Sequence, residues 1–185
     1  MRELIVNEGI TLDGVIETGE WFSPRGSSDY DLSDVEAAIK EQREAADALL
    51  VGRRTFEDMR EFWPRQTDDT TGTRVYLDEV HKYVISGSMG DTRWQNTTVL
   101  TGDALDEVQA LKRAPGKDIV TTGSITLVHA LIAAGLVDEY RLFIHPAVAG
   151  HGRRLFSDGT AIPAMRLIEA RGFRCGMVLL RYRSE

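Results

Sequence analysis

Two arginines follow a glycine at the end of an apolar run, and those residue types in that order suit a phosphate. Residues 48–57 read as a strand, Ala48-Leu49-Leu50-Val51, then Gly52, Arg53, Arg54 and Thr55, then the start of a helical pattern. N–H groups at a helix start point outward without partners, and the helix dipole favours negative charge there. Glycine lets the chain turn and lets a phosphate approach the backbone. Two guanidinium groups beside the turn can neutralise a phosphate and grip it with forked donors. For this stretch alone, a plain strand–turn–helix with solvated arginines is the simpler explanation. Two more strand ends carry similar residues: Ser86-Gly87-Ser88, and Thr122-Gly123-Ser124-Ile125-Thr126 at a helix start. In an open α/β sheet, ligands bind outside the carboxyl ends of the strands. Three such ends make one groove rich in N–H and O–H donors. A dinucleotide fits it, with pyrophosphate on the two helix starts and a 2′-phosphate on an arginine. No G-x-G-x-x-G occurs, so the groove is not the Rossmann fingerprint.

The elements that must position these ends read as alternating strands and helices. A first strand opens at Leu4-Ile5-Val6 and ends near the Asp13-Gly14 turn, and a polar loop over 17–29 carries Trp21, Phe22 and Pro24. Asp31 or Ser33 can cap a helix that runs through about Ala46. Strands are expected at 48–51, 82–86, 97–100, 118–122 and 139–144. Helices are expected from Arg53 to before Pro64, from the Asp103 cap to about Arg113, and over 125–134 with Gly135 as the stop. Residues 66–73 are polar and threonine-rich and read as a mobile loop. Two closing strands, 166–174 and 175–183, end the pattern. The alternation through Ile144 predicts a largely parallel sheet covered on both faces, and the strand-rich tail predicts antiparallel strands at one edge. With no internal repeat and no linker, residues 1–185 read as a single domain.

Composition narrows the function classes. Hydrophobic residues are 42% of the 185, which fits a soluble globular chain able to bury a core. A net charge of −7 argues against a nucleic-acid partner. No apolar run is long enough to span a bilayer, and Met1-Arg2-Glu3 lacks the basic-then-apolar order of a signal peptide, so a cytoplasmic location with no membrane partner is expected. The single cysteine, Cys175, excludes an internal disulfide and a cysteine-built zinc cluster, and no metal site is expected. Its apolar setting reads as a small core residue. His145, before Pro146, fits either a donor to a substrate or a ring that satisfies a backbone carbonyl.

With these segments in view, the chain resembles the dihydrofolate reductase superfamily, and most closely the branch of the reductase half of the bifunctional riboflavin-biosynthesis deaminase/reductase. The resemblance rests on Thr11-Leu12-Asp13-Gly14, on Leu50 through Thr55, on Tyr83-Val84-Ile85-Ser86 and on Gly123 through Leu127. It is most specific in Gly135-Leu136-Val137-Asp138-Glu139 with the later Gly150-His151-Gly152-Arg153-Arg154-Leu155-Phe156.

The resemblance implies a three-layer α/β/α fold with a mostly parallel central sheet and antiparallel C-terminal edge strands. It implies NADPH as cofactor. Gly52, Arg53, Arg54 and Thr55 would contact the phosphates, Ser86 would lie by the adenosine end, and Thr122, Gly123, Ser124, Ile125 and Thr126 would hold the pyrophosphate. Gly9 and Ile16 would lie near the nicotinamide. Asp13, Trp21 and Thr121 would border the substrate, with Trp21 either covering the nicotinamide or substrate or pinning its loop.

The implied activity is hydride transfer to a small heterocyclic or carbonyl substrate, in the manner of a 5-amino-6-(5-phosphoribosylamino)uracil reductase of riboflavin biosynthesis. True dihydrofolate reductase and a non-catalytic NADP-binding sensor are the alternatives. Three departures bear on them. The first helix holds Asp34, Glu36, Glu41 and Glu44 without the folate reductases' acid motif. Thr121 stands close to where riboflavin-pathway reductases carry a glutamate. The H-x-E and P-C-x-x-C of the deaminase half are absent. No side chain reads as the catalytic acid. A homodimer is expected from the resemblance and from the strand edge that the tail would leave.

Overall fold

The central strand is β1 (Leu4–Thr11), and its alternation sets the two faces of the molecule. The computed structural model describes residues 1–22, 31–69, 71–90, 92–162 and 164–185. The expected loop beyond Phe22, with Pro24, and Thr70 of the threonine-rich segment lie outside them. Leu4, Val6 and Ile10 point into the largest core cluster, while Ile5 packs on the opposite face with Ala46 and Val120. Full burial of each such aliphatic side chain is worth about 1.5–3 kcal/mol.

Helix α1 (Ser33–Glu44) leads into β2 (Ala46–Gly52), then α2 (Arg53–Phe62) and a short 3-10 turn at Trp63–Arg65. Next come α3 (Thr73–Glu79), β3 (His81–Ile85), β4 (Thr97–Leu100), α4 (Ala104–Arg113) and β5 (Asp118–Thr121). The chain then forms α5 (Ile125–Ala133), β6 (Glu139–His145), β7 (Met165–Gly172) and β8 (Val178–Ser184). The sheet has eight strands in the order β4-β3-β2-β5-β1-β6-β8-β7. Pairing is parallel from β4 through β6 and antiparallel at β6–β8 and β8–β7. The mostly parallel sheet with antiparallel strands at one edge is what the strand and helix alternation predicts, and it agrees with the fold that the resemblance implies. Val108 and Leu111 of α4 and Val128 and Leu131 of α5 cover one face. Phe56 of α2, Leu77 of α3 and Val35 and Ala38 of α1 cover the other. No helix among the described residues is long and apolar enough to cross a membrane.

Helix α1 ends at Glu44, before the expected Ala46, and three further differences from the sequence expectation stand out. Helix α3 occupies residues for which no element was expected. Its start follows Gly72 in the left-handed conformation (φ 69°), and Leu77 is its one buried residue, so no apolar stripe announces it. Strand β2 begins at Ala46 and not Ala48, because an irregularity between Ala46 and Ala48 restores the register with β5. The closing strands are shorter than expected, and the connection expected at residues 172–176 is a turn that runs to Met177, with Phe173 N–H donating to Met177 O (2.8 Å) and Gly176 at φ 86°.

Candidate functional site

The ends of β2 and β5 meet through side chains that only glycine neighbours allow. Gly52 N–H donates to Ser124 Oγ at 2.7 Å, and the Ser124 hydroxyl donates to Thr55 Oγ1 at 2.7 Å. A Cβ on Gly52 would come within 2.8 Å of Ser124 Oγ, and one on Gly123 within 3.1 Å of Thr55 Cγ2. Gly123 has φ 69° and Ser124, unusually for a serine, φ 56°. The starts of α2 and α5 are therefore latched side by side, as a ligand spanning both helix starts requires. The side chains of Arg53 and Arg54 are exposed there, and among the described residues neither has an ion-pair partner.

The latch also changes which donors are available. Gly52 N–H is taken by Ser124, and Gly123 N–H is taken by Glu8 Oε1 at 2.8 Å. What remains for an anion is the first-turn N–H groups of the two helices, the exposed Thr126 and the two arginines. Ser86 is buried, and its hydroxyl accepts from Ser88 N–H (3.3 Å) and Met89 N–H (3.0 Å), which closes the turn after β3.

Glu8 is a site residue that the sequence reading missed. It is 6% exposed on β1, and burial outweighs the Gly123 hydrogen bond and pushes its carboxyl up to about 8. The signal was present: Glu8 is the one charged residue of the strand Leu4–Thr11, most of which is buried.

On the opposite face of β1, Gly9 adjoins a second feature. A cleft of about 900 Å³ opens at the carboxyl end of β6, lined by residues that include Trp21, Leu32, His145, Val148, Cys175 and Met177. A Cβ on Gly9 would approach Phe22 to 3.1 Å and His145 Nε2 to 3.2 Å, so the bare backbone there is what lets both rings close over β1. Trp21 stands edge-on to His145 with centroids 5.0 Å apart, and its indole N–H is anchored on Glu17 O at 3.2 Å. Burial lowers the His145 pKa, which favours the neutral ring.

The other expected site residues are distributed differently. Asp13 does not line the cleft: its carboxylate accepts from Thr11 Oγ1 (2.6 Å), Ala149 N–H (3.0 Å) and Gly150 N–H (2.8 Å). Those bonds, Thr11 foremost, lower its pKa to about 2. Thr121 is fully buried within the sheet and away from the cleft lining, and its hydroxyl has no hydrogen-bond partner among the described residues. Ile16 packs its side chain into the largest core cluster. Thr122 is half-buried, and Ile125 is buried at the start of α5. Cys175 is only half-buried and reaches the cleft wall. Leu32 and Val148 carried no sequence signal, because nothing but the tertiary fold brings them to one cavity.

The family described as RibD C-terminal domain matches residues 2–179. An uncharacterized protein of Bacillus subtilis, YyaP, is 32% identical over 184 residues, covering 98% of this chain and 94% of its own. The diaminohydroxyphosphoribosylaminopyrimidine deaminase/5-amino-6-(5-phosphoribosylamino)uracil reductase of Thermotoga maritima superposes with TM-score 0.67 at 16% identity, over 100% of this chain and 57% of that one. Dihydrofolate reductase of Enterococcus faecalis, solved with NADP(H) and RAB-propyl, superposes with TM-score 0.65 at 16% identity, over 99% and 96% of the two chains. At such identities the two structures show a shared fold.

Proposed function

We propose that this chain, which belongs to the RibD C-terminal domain family, is an NADPH-dependent reductase of a small planar heterocyclic or carbonyl compound. The observation that carries the reading is the latched pair of turns at Gly52 and Gly123, with Arg53 and Arg54 exposed beside it. The residues fit the cofactor: glycines stand where a Cβ would crowd the neighbouring turn, two helix starts lie side by side, and two guanidiniums have no ion-pair partner among the described residues. Arg53 and Arg54 would hold phosphate, and one of them the 2′-phosphate. Thr55 and Ser124 would fix the turns. Ile125 and Thr126 would offer backbone N–H groups, and Gly9 would leave room for a ring beside β1. When bound, NADPH supplies a hydride from its nicotinamide.

The chain's own contribution is alignment and exclusion of water. Trp21, held by its Glu17 hydrogen bond, and His145 wall the cleft on the Gly9 side of β1. Strand alternation puts Glu8 on the phosphate-turn face and Gly9 on the cleft face, so two consecutive residues link the two halves of the site. The test follows NADPH absorbance while dihydrofolate and the deaminated riboflavin precursor are offered in parallel. Turnover of the pyrimidine and not of dihydrofolate is expected, because no acid on α1 is placed at the cleft. Turnover of dihydrofolate alone, on the order of 10 per second, would replace the reading with a true folate reductase.

A further inference from the structure

A series of hydrogen bonds runs from β1 into the phosphate corner. Glu8 Oε1 accepts from Gly123 N–H at 2.8 Å, and the next residue, Ser124, accepts from Gly52 N–H and donates to Thr55 Oγ1, both at 2.7 Å. The series begins at a carboxyl, where an amide or a hydroxyl would accept the same N–H without adding an ionisable group. Glu8 sits on the face of the largest core cluster: Val6 and Ile10 flank it on β1, and Leu142 stands opposite it on β6. The charged and titratable groups on the elements around that cluster are engaged elsewhere. His129 of α5 bonds Arg154 O at 2.8 Å, Arg154 donates to Asp13 O at 2.9 Å, and Lys112 of α4 pairs with Asp138 at 2.5 Å. Tyr83 of β3, Tyr140 of β6 and Tyr182 of β8 border the cluster, and burial pushes Tyr140 up to about 12. Strand β5 contributes the uncharged Thr121, and Arg53 and Arg54 of α2 are exposed to solvent. Among the described residues Glu8 therefore has no ion-pair partner, and burial outweighs its one hydrogen bond.

We propose that Glu8 is a positioning residue for the cofactor phosphates and binds its proton together with them: a dinucleotide seated on the starts of α2 and α5 keeps the carboxyl behind the 123–124 turn uncharged. The proposal rests on the reading of the chain as an NADPH-dependent reductase and adds a proton to its binding step. Gly123 stands two residues before Ile125, the first residue of α5. An ionised Glu8 would put negative charge directly behind the bound anion, and each would disfavour the other. Protonated, the carboxyl still accepts Gly123 N–H through its carbonyl oxygen, so the turn keeps its shape while the charge goes. One proton passes from solvent to Glu8 per dinucleotide bound where the free carboxyl is ionised, and none where it is already protonated. Affinity for NADPH is then constant on the acid side of the free carboxyl's titration, weakens as pH rises through it, and levels off once the complex also loses the proton.

Calorimetric titration of NADPH into the wild-type chain, in two buffers of different ionisation enthalpy at several pH values, counts these protons. The 2′-phosphate of NADPH loses its last proton at about 6, so above pH 7 the cofactor itself adds little to the count. With the free carboxyl near 8, an about tenfold tighter hold on the proton in the complex is expected. It reads as about half a proton taken up near pH 8.5, and as a Kd about tenfold weaker at pH 10 than at pH 7. Glu8→Gln keeps an acceptor and has no proton to exchange, so its affinity should vary little over that range; a role confined to holding the turn would leave the two pH profiles parallel. Carbon-13 NMR of the wild type labelled at its glutamate carboxyls needs no variant: one carboxyl should titrate above pH 7 and move to higher pH when NADPH is bound. The same proton count and pH profile in both proteins, or a carboxyl that NADPH does not move, would overturn the proposal and leave the reductase standing. No binding of NADPH at any pH would remove the reductase reading and this proposal with it.

Discussion

A carboxyl that accepts a hydrogen bond from a turn N–H keeps its proton at neutral pH only when burial outweighs that bond, and Glu8 is such a group. Its pKa stands near 4.5 in the unfolded chain and near 8 in the folded one. The folded form holds the extra proton between those values, so the contribution of Glu8 to stability is full below about 4.5 and is lost as pH rises through about 8. Glu8→Gln keeps an acceptor for Gly123 N–H and removes the titration. Between about pH 5 and pH 8 the wild type should lose stability relative to the variant, on the order of a few kcal/mol. Urea unfolding at several pH values measures this, and parallel curves for the two proteins would refute the assignment. At the same scale, Arg53→Ala or Arg54→Ala should cut the preference for NADPH over NADH by about tenfold, the worth of one charge-assisted bond to an exposed 2′-phosphate. If both single variants kept the full preference, that phosphate would lie elsewhere. The Gly-Arg-Arg-Thr run was legible because each residue is informative by type. Glu8 was overlooked because a lone acid means little until its neighbours on β5 are known.

Elements were readable wherever they announced their ends. Asp103 caps α4 through bonds to Leu105 N–H and Asp106 N–H, and Gly135 stops α5 in the left-handed conformation. Helix α3 has neither an apolar stripe nor a side-chain cap, and the 173–177 turn is signalled by Gly176 alone. The cleft was out of reach for another reason. Its walls come from the loop after β1, the approach to α1, the end of β6 and the turn before β8, which the β1–β6 and β6–β8 pairings help bring together. Asp13 illustrates how an element can claim a residue expected at the ligand. It clamps the loop after β6 through Ala149 and Gly150. Asp13→Ala should release that loop while leaving the sheet intact. Hydrogen exchange should then speed up at the amides of Ala149 and Gly150 and stay unchanged in β1 and β5. Unchanged exchange in the loop would mean that other contacts hold it.

For the whole molecule, the antiparallel tail leaves β7 as an edge strand, with Leu167 49% and Ile168 39% exposed. Such an edge invites pairing, and a closed pair of identical chains is the commonest way to cover it. A homodimer is expected in light scattering at micromolar concentration, and Leu167→Lys with Ile168→Lys should shift it toward monomer. A wild-type monomer at every concentration would exclude the dimer. The dihydrofolate reductase-like sheet places two helix starts, two arginines and an aromatic cleft around one strand, and the function proposed above assigns them jointly to a nicotinamide cofactor with a 2′-phosphate, a requirement of that proposal. Calorimetric titration of the wild-type chain with NADPH and with NADH tests that requirement most directly. Saturable binding of NADPH, about tenfold or more tighter than NADH, is the expected result; no binding of NADPH, or equal affinity for both, would contradict it.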